Sequence, residues 1–344
     1  MKKLIYLCGN DGTDTRISKE IKSLSKKYSI LFIGVKSEKP FRHTKINHKL
    51  FLGSHKNFRT ILLMNLYLLR ILFSKQKFDR LHVINEQLYV FFMPILLLFN
   101  IHITLDVFDS FFLKRNIDKN KYILLKRLIY GSVDRVIVTD ENRFNLLPDF
   151  VKPKSIIIPN VPFRSNLYSN PKPKRANKLV IAYFGTLKRD RGSEFIESLL
   201  FMKFDITILM AGWVADSFTE NLIVKYPDSI KYFGVITQED ANKLIFEKSD
   251  YLLCIYPANN INNIYASPNK IYDAMHTKTP VIMNSEIMAS KFVEENNLGL
   301  IINSMNSDPA QIYNELKQNR GKYNLTNEMA SSHIWENYEE KLYK

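Results

Sequence analysis

The residue types best suited to chemistry lie in two short segments of the carboxy-terminal half. The first begins with Ser267, a favoured helix N-cap, and Pro268, which suits the first helical position because its missing N–H costs nothing there. A helix starting at this point would leave the backbone N–H groups of Asn269 and Lys270 free, at the positive end of its dipole. The segment therefore predicts an anion-binding site at a helix N-terminus.

Asp273 extends this predicted site along the same helix. It follows Asn269 by four residues, so both side chains would lie on one face. At 1.5 Å per residue they are separated by roughly 6 Å along the axis, about the distance from a nucleotide's pyrophosphate to its ribose hydroxyls. A carboxylate can accept from two vicinal hydroxyls. The alternative is a well-capped core helix with Asp273 in solvent, and the helix alone favours neither interpretation.

The second segment, residues 185–192 (GTLKRDRG), directly follows an apolar run and precedes a predicted helix. A solvated turn is one explanation of this pattern. The other is a second anion site on the same edge of the sheet, because glycine permits close backbone approach and cations gather where a strand ends. Its candidate contacts with a diphosphate are Gly185, Thr186, Lys188, Arg189 and Arg191.

Strands and helices that could position these residues alternate along the whole chain. Near-continuous apolar strands separated by helices are typical of parallel, doubly wound sheets. We expect strands at 4–8, 29–35, 81–84, 101–107, 135–139, 155–158, 179–184, 205–211, 230–233, 251–256, 280–284 and 299–302. Helices are expected around Ile17, Ile21 and Leu24, at 59–73, 87–99, 121–130, 192–202 and 239–247, from residue 268, and near 289–296.

A break in this alternation divides the chain into two α/β domains. Residues 162–178 hold three prolines and no apolar periodicity, which indicates an extended linker. We therefore predict a Rossmann-like domain over 1–161, the linker, a second Rossmann-like domain over 179–325, and a C-terminal helix within 326–344 that crosses back onto the first domain. Two such sheets would face each other across a cleft that binds ligand at the carboxyl ends of the strands.

The positive charge is concentrated in the first half of the chain. Residues 1–170 contain 29 Lys and Arg against 13 Asp and Glu, whereas residues 171–344 contain 20 against 21. A one-sided basic half favours a polyanionic partner, either an anionic membrane surface or a nucleic acid. The alternative is a basic face that only confers solubility.

Composition excludes several other classes of protein. A hydrophobic fraction of 46% excludes a disordered chain. Cys8 and Cys254 are too few for a disulfide framework or a four-cysteine zinc site, and both lie in apolar runs, which indicates reduced thiols in a cytosolic protein. No signal peptide is predicted, because the apolar run after the initial lysines is short. Residues 88–105 are uncharged but are interrupted by Pro94, so we expect a buried helix and a strand instead of a membrane span.

The chain resembles the retaining, group-one (family four) glycosyltransferases of the GT-B fold over essentially its whole length. In that family a strand and glycine loop with a basic residue are followed by a helix ending in E-A-M-A-x-G-x-P-V-I, and residues 273–282 here read DAMHTKTPVI. The DTRI at 14–17, the IPN at 158–160 and the SHIWE at 332–336 resemble other motifs of the family. The resemblance implies a GT-B fold and the transfer of a sugar from a nucleotide-diphosphate sugar.

The resemblance also implies roles for individual residues of the second domain. Arg191 would contact the diphosphate of the sugar donor, and Ser267, Asn269 and Lys270 would belong to the diphosphate helix. Asp273 would match the second acid of the family's E-x7-E motif. The first acid falls at Tyr265, and the histidine that the family often has before an aspartate after the fourth strand is replaced by Phe108.

The implied reaction needs neither a cofactor nor a metal. The leaving diphosphate, stabilised by Arg191, Lys270 and the helix dipole, could itself accept the proton of the acceptor hydroxyl. No D-x-D motif suggests a metal site, since Asp106 and Asp109 are spaced wrongly for adjacent ligands. The acceptor side would come from the first domain, and its candidates, each at least as consistent with a structural role, are Asp14, Arg16, His82, Glu86 and Asp109.

The expected partners are a nucleotide sugar, a glycan or lipid-linked acceptor of bacterial surface polysaccharide synthesis, and the anionic inner face of the cell membrane. Residues 59–77 and 119–127 offer basic and apolar helix faces for docking there. A GT-B epimerase or phosphorylase, or a catalytically silent GT-B partner subunit, would share the fold. A nucleic-acid-binding protein would share the charge, but no basic strand here carries interleaved aromatic residues.

Overall fold

The computed structural model describes residues 1–36, 41, 43, 45–165, 172–173, 178–303 and 308–343. These residues form two compact units. Unit 1 comprises Met1–Asn160 together with Tyr338–Lys344, and unit 2 comprises Val161–Asn337. The predicted linker falls at the start of unit 2, but residues 166–171 and 174–177 of it lie outside the described residues.

Unit 1 contains a seven-stranded parallel sheet in the order β3-β2-β1-β4-β5-β6-β7. The strand order reverses between β1 and β4, as in doubly wound folds. Its elements in chain order are β1 (Lys2–Leu7), α1 (Thr15–Leu24), β2 (Tyr28–Val35), β3 (Asn47–Phe51), α2 (Phe58–Leu72), β4 (Arg80–Ile84), α3 (Glu86–Leu96), β5 (His102–Val107), α4 (Phe111–Lys114), α5 (Ile123–Gly131), β6 (Arg135–Val138), α6 (Glu141–Asn145) and β7 (Ser155–Ile157).

Unit 2 contains a six-stranded parallel sheet in the order β10-β9-β8-β11-β12-β13. Its strand order reverses between β8 and β11. Its elements are β8 (Leu179–Leu187), α7 (Ser193–Phe201), β9 (Ile206–Val214), α8 (Ser217–Lys225), β10 (Ile230–Tyr232), α9 (Gln238–Lys248), β11 (Tyr251–Cys254), α10 (Ile261–Ile264), α11 (Asn269–Thr277), β12 (Val281–Asn284), α12 (Ala289–Glu295), β13 (Gly299–Ile302), α13 (Pro309–Gln318), α14 (Asn327–Ser332) and the start of α15 (Glu336–Tyr343).

Both sheets are buried on both faces, which is why their strands form apolar runs in the sequence. In unit 2, alternate residues of β8 enter different cores. Ala182 and Phe184 pack with α9 and α11, whereas Ile181 and Tyr183 pack with α7 and α13. The period of two along each strand therefore accounts for the three-layer arrangement of helices, sheet and helices.

Several elements differ from the sequence-based predictions. The strand β3 was not expected, because it is an edge strand whose residues are largely exposed and needs no apolar run. The helices α4, α6, α8, α10 and α13 were also missed. The strands β8 and β9 each continue three residues beyond the predicted end, because their parallel pairing extends through Gly185 and Gly212 to Leu187 and Val214.

The described part of the chain contains no helix with the length and apolar character needed to cross a membrane. The apolar segment at 88–105 is divided between α3, which ends at Leu96, and the buried strand β5.

Candidate functional site

The candidate site lies in unit 2, at the carboxyl ends of the two central strands β8 and β11. These strands are adjacent, with Tyr251 opposite Ile181 and Leu252 opposite Ala182. Because the strand order reverses between them, the loops that follow diverge to opposite sides of the sheet and leave space for a ligand. Of the two segments singled out in the sequence, 185–192 comprises the last three residues of β8 and the turn after it, and 267–275 follows β11.

Two paired glycines, one in β8 and one in β9, leave the backbone without side chains at one register position near the end of β8. Gly185 and Gly212 are register partners in β8 and β9, and both have positive φ angles, 105° and 135°. A Cβ atom on Gly212 would lie 1.8 Å from the carbonyl oxygen of Gly185, whereas one on Gly185 would meet nothing within 4 Å. Gly212 is therefore required for strand pairing, and Gly185 presents an open backbone surface at the predicted site.

The turn after β8 is held from beneath by the buried Tyr183. Its hydroxyl accepts from the backbone N–H of Lys188 at 2.8 Å and donates to the Lys188 carbonyl at 3.1 Å. Gly192 ends the turn at φ 137°, and a Cβ there would lie 2.6 Å from Leu253 Cδ2. Burial raises the pKa of Tyr183 to about 12, so the phenol remains a donor at neutral pH. The turn conformation is thus fixed by side chains of the sheet.

The three cations of this turn have different partners. Lys188 pairs with Asp190 at 2.9 Å, and the exposed Arg189 pairs with Glu194 at 2.8 Å. Arg191 instead has its guanidinium 4.9 Å from the centre of the Tyr256 ring. Among the described residues, no carboxylate lies within 4.0 Å of the Arg191 guanidinium. Arg191 is consequently the cation of this turn that remains available to an anionic ligand.

Lys270 approaches the same place from α11. Its ammonium donates to the carbonyl of Leu253 in β11 at 2.9 Å and lies 5.2 Å from the centre of the Tyr183 ring. Burial lowers the pKa of Lys270, and the positive charge of Arg191 lowers it further. The same two positive charges also affect the pKa of the Cys254 thiol. Burial raises its pKa to about 11, while Lys270 and Arg191 both act to lower it.

The start of α11 differs by one residue from the prediction. Pro268 has φ −71° and ψ 122°, so it is the N-cap itself, and Asn269 is the first helical residue. No side chain caps the helix, so Ser267 does not have the expected capping role. Since Pro268 has no N–H, the first backbone donors of this helix are those of Asn269 and Lys270, as the sequence predicts.

Asp273 occupies the expected position one turn further along α11, but it is only 7% exposed. Asn242 of α9 donates to Asp273 Oδ1 at 3.4 Å. The carboxylate therefore lies on the α9 side of α11, and a ribose would have to reach a largely buried oxygen. Tyr265, which replaces the first acid of the family motif, is the C-cap residue of α10.

Sequence reasoning missed the aromatic side chains of this site. Tyr183 and Tyr256 hold Lys270 and Arg191 through ring contacts, yet each looks in the sequence like an ordinary strand residue. The exposed Trp213 lies beside Thr186 in the strand register. Its signal was available, since a tryptophan after Gly212 at a strand end is poorly explained by packing. The exposed Tyr232, whose hydroxyl donates to the Gly212 carbonyl, lies at the end of neighbouring β10.

The acceptor-side candidates of unit 1 are distributed over several environments. Arg16 and His82 are buried at the point where β1 and β4 diverge. Arg16 pairs with Asp106 at 2.7 Å and with Glu20 at 3.0 Å, and the His82 ring nitrogen Nε2 lies 3.1 Å from Glu20. These contacts make Arg16 and His82 parts of a buried polar cluster, and neither reaches solvent.

The two carboxylates of this cluster share one cation of the chain itself. His82, Glu20 and Asp106 offer ligand atoms close enough for a cation, but the guanidinium of Arg16 already lies between the two carboxylates. Burial lowers the pKa of His82 to about 4, so its imidazole is neutral at pH 7. Burial also raises the pKa of Asp106 well above its usual value, although Arg16 opposes this shift.

The other three candidates are placed differently. Glu86 is buried and accepts from Ser110, Tyr130 and the backbone N–H of Phe111, so it connects α3 with the segment after β5. Asp14 is exposed and caps α1. Asp109 is partly exposed and pairs with Lys114. Asp14 and Asp109 are therefore the candidates on the acceptor side that a substrate could reach.

Comparison with solved structures places this architecture among known folds. The chain matches no protein-family model and no curated protein. HepE of Anabaena, solved with UDP and glucose, matches with a TM-score of 0.74 and 14% identity, covering 100% of both chains. The lipopolysaccharide outer core galactosyltransferase WaaB in its apo form matches with a TM-score of 0.66 and 12% identity, covering 99% of this chain and 98% of its own.

A UDP-N-acetylglucosamine 2-epimerase from Rickettsia bellii has the same architecture, with a TM-score of 0.63 and 12% identity over 100% of this chain and 95% of its own. At these identities the likeness concerns the fold, and it confirms the fold expected from the sequence. The two Rossmann-like units, with their parallel sheets of seven and six strands, give this chain the GT-B fold.

Proposed function

We propose that this chain is a glycosyltransferase that takes a sugar from a nucleotide-diphosphate sugar bound in unit 2. The observation that carries the proposal is the pair of cations Arg191 and Lys270 at the reversal point of the sheet. They come from different segments, flank the free N-terminus of α11, and have no carboxylate within ion-pair distance among the described residues. A diphosphate would satisfy both cations and the backbone donors of the helix.

The same arrangement supports a retaining reaction without a resident metal. Charge develops on the diphosphate oxygen as the glycosidic bond to the sugar breaks, and Arg191, Lys270 and the helix dipole would stabilise it where it forms. That oxygen could then take the proton of the attacking acceptor hydroxyl, so no protein nucleophile is required. Gly185 and Thr186, exposed at the end of β8, would lie next to the phosphates.

The acceptor would be a glycan or a lipid-linked sugar of bacterial surface polysaccharide synthesis. The galactosyltransferase of similar fold acts, by its name, on the outer core of lipopolysaccharide. The excess positive charge in the first half of this chain suits work at the cytoplasmic face of an anionic membrane. Asp14 and Asp109 are the accessible carboxylates that we assign to the acceptor side.

Arg189 and Arg191, two residues apart in the same turn, allow a matched test of the site for the sugar donor. We expect Arg191→Ala to weaken the binding of UDP roughly 10- to 100-fold, because a charge-assisted contact contributes about 1.5–3 kcal/mol. Arg189→Ala removes a similar charge two residues away, but that arginine is exposed and paired with Glu194. The affinity of the Arg189→Ala protein for UDP should stay within about twofold of that of the wild type. Isothermal titration with UDP, GDP and ADP would also identify the base.

Equal affinity of the wild type and Arg191→Ala for every nucleotide would overturn the proposed site. Binding that is lost equally in both arginine variants would instead indicate a general effect of surface charge. Pyrophosphate should compete with the nucleotide, since the proposed contacts are all to the phosphates.

An epimerase is the second candidate, because a solved epimerase has the same fold. An epimerase would convert a nucleotide sugar in the absence of any acceptor, whereas a transferase would release nucleoside diphosphate only slowly without one. A catalytically silent partner subunit, suggested by Tyr265 and Phe108 in place of an acid and a histidine, would bind the nucleotide sugar and convert none of it. Following one labelled nucleotide sugar with and without a lipid-linked acceptor separates the three.

A further inference from the structure

Three helices of unit 1, α2, α3 and α5, lie side by side on one face of the sheet. The helix α3 contacts α2 on one side and α5 on the other. Their inner residues enter a single hydrophobic core with the strands. That core receives Ile61, Met64 and Leu68 from α2, Leu88, Tyr89, Phe92, Met93 and Leu96 from α3, and Ile129 and Tyr130 from α5.

The outer side of these helices is apolar as well, which is unusual for a helix that covers a sheet. In α2, Phe58, Leu62 and Leu66 recur every four residues and form one exposed stripe. Together the three helices and the residues next to them form what we call the outer apolar surface. Its members are Phe58, Leu62, Leu63, Leu66, Phe73, Val90, Phe91, Leu97, Leu98, Tyr122, Leu124, Leu125 and Leu128.

Several of these side chains expose most of their surface. Phe58 and Leu124 are each 77% exposed, and Leu98 is 72% exposed. Among the described residues of unit 2, the exposed large apolar side chains are fewer and are scattered over several elements. A contiguous apolar surface of this kind marks a site of contact with a membrane or with another protein.

The exposed charges on the three helices themselves are all positive, and the neighbouring segments carry the exposed acids Asp79 and Asp118. Residues 39–78, which include α2, contain nine Lys and Arg but no Asp or Glu. The helix α5 contains no acidic residue, and the single acid of α3, Glu86, is buried. Exposed cations adjoin the apolar stripes, and they are Lys56, Arg59, Arg70, Lys75, Lys77, Arg115, Lys121 and Arg127.

We propose that the outer apolar surface docks onto an anionic lipid bilayer. The leucine and phenylalanine side chains would enter the boundary between headgroups and acyl chains, and the adjoining lysines and arginines would contact lipid phosphates. The helices would lie in the plane of the membrane, consistent with the lack of a spanning helix in the described part of the chain. This inference rests on the proposed function, which places the chain at an anionic membrane, and it names the surface that docks there; the site for the sugar donor is separate, in unit 2.

Two other occupants fit the surface less well. A second copy of this chain would bring the same basic residues together, and nothing acidic on these helices could pair with them. A nucleic acid would engage the cations but would leave the leucine stripes in water. A bilayer satisfies both the charge and the apolar area.

Co-flotation with vesicles tests the proposal directly. The full chain should bind vesicles of phosphatidylcholine and phosphatidylglycerol, bind pure phosphatidylcholine vesicles much less, and lose affinity as salt is raised. Leu62→Gln and Leu66→Gln should each lower the partition coefficient roughly tenfold, because each removes one inserted leucine. Arg59→Gln and Arg70→Gln should each lower it about fivefold, and only for the anionic vesicles.

Val224→Gln provides the matched control, since Val224 of α8 is 78% exposed and belongs to unit 2. It should leave vesicle binding unchanged. Because Leu62 and Leu66 are exposed, their variants should melt within a few degrees of the wild type and should still bind UDP, which separates this test from that of the site for the sugar donor. Unchanged flotation of the Leu62→Gln/Leu66→Gln protein would overturn the proposal. A dimer in sedimentation that this double variant abolishes, without any vesicle binding, would assign the surface to a second copy.

Discussion

At the scale of single residues, the stability of unit 1 depends on a cluster of charged side chains in its interior. Arg16 lies with Asp106 and Glu20 in the interior, and none of the three side chains reaches water. Removing one member of such a set leaves an uncompensated charge, which costs more than the intact set contributes.

Arg16→Met should therefore be strongly destabilising. We expect it to lower the free energy of unfolding by about 3–5 kcal/mol, because two carboxylates would remain without their cation. Urea unfolding followed by far-UV circular dichroism measures this loss. The triple variant that also carries Glu20→Leu and Asp106→Leu should recover much of it. A single variant as stable as the wild type would show that the carboxylates are neutral without Arg16.

His82 should make the stability of unit 1 depend on pH. Its pKa is about 4 in the folded chain and about 6.5 when unfolded, so between these values the unfolded state binds the extra proton. Stability should thus fall as the pH drops from about 6.5 to about 4, by on the order of 3 kcal/mol at most. The raised pKa of Asp106 acts in the opposite direction with pH.

The contribution of His82 can be isolated by comparing the wild type with His82→Gln in urea at several pH values. The difference in unfolding free energy between the two proteins should change across this pH range and should be constant above pH 7. A difference that is flat from pH 7 to pH 4.5 would contradict the assignment.

At the scale of elements, the end of β8 is set by the two register partners Gly185 and Gly212. Both adopt a left-handed backbone that disfavours a side chain, but their surroundings differ. Gly185 faces open space, and Gly212 faces the backbone of Gly185 itself. Gly185 is thus required by its backbone conformation, whereas Gly212 is required because a side chain there would disrupt the pairing of β8 with β9.

Alanine substitutions should separate these two requirements. Gly185→Ala should cost about 1–2 kcal/mol, the usual cost of a left-handed non-glycine residue. Gly212→Ala should cost at least twice as much, because its Cβ would lie 1.8 Å from the Gly185 carbonyl oxygen and the strands would have to separate. Unfolding in urea, followed by the fluorescence of Trp213 and Trp335, measures both. Equal costs would contradict the pairing argument.

The sequence predicted the elements whose signal is local. Parallel strands buried on both faces form apolar runs, so all but the exposed edge strand β3 were anticipated. Arg191 and Lys270 were found because cations and a proline-led helix after strands are visible in one dimension. The ring contacts of Tyr183 and Tyr256, the pairing of Arg189 with Glu194 and the burial of Arg16 arise from tertiary packing, which no local pattern records.

At the scale of the whole molecule, the end of the chain belongs to the unit that contains its beginning. Tyr338–Lys344 is part of unit 1, where Tyr343 donates to the Ser23 carbonyl at 3.0 Å and Leu342 is buried. Lys26 and Lys27 pair with Glu339 and Glu340. The last turns of α15 are thus an integral part of unit 1.

Deleting residues 338–344 should consequently destabilise unit 1, by about 2–4 kcal/mol for the loss of a buried leucine and the hydrogen bonds around it. Both tryptophans are in unit 2, so their emission follows unit 2, whereas circular dichroism follows both units. The deletion should lower the urea midpoint seen by circular dichroism more than that seen by fluorescence. Coincident shifts would mean that the two units unfold as one.

The closeness of Lys270 to Arg191 has a further consequence for calorimetry. Because burial and the charge of Arg191 lower the pKa of Lys270, its amine loses its proton in less alkaline solution than an exposed lysine does. Binding of a diphosphate next to Lys270 would raise its pKa again, so the protein would take up protons from the buffer when the complex forms. The observed heat at high pH should then vary with the ionisation enthalpy of the buffer chosen, and this variation should diminish as the pH is lowered and the amine becomes charged.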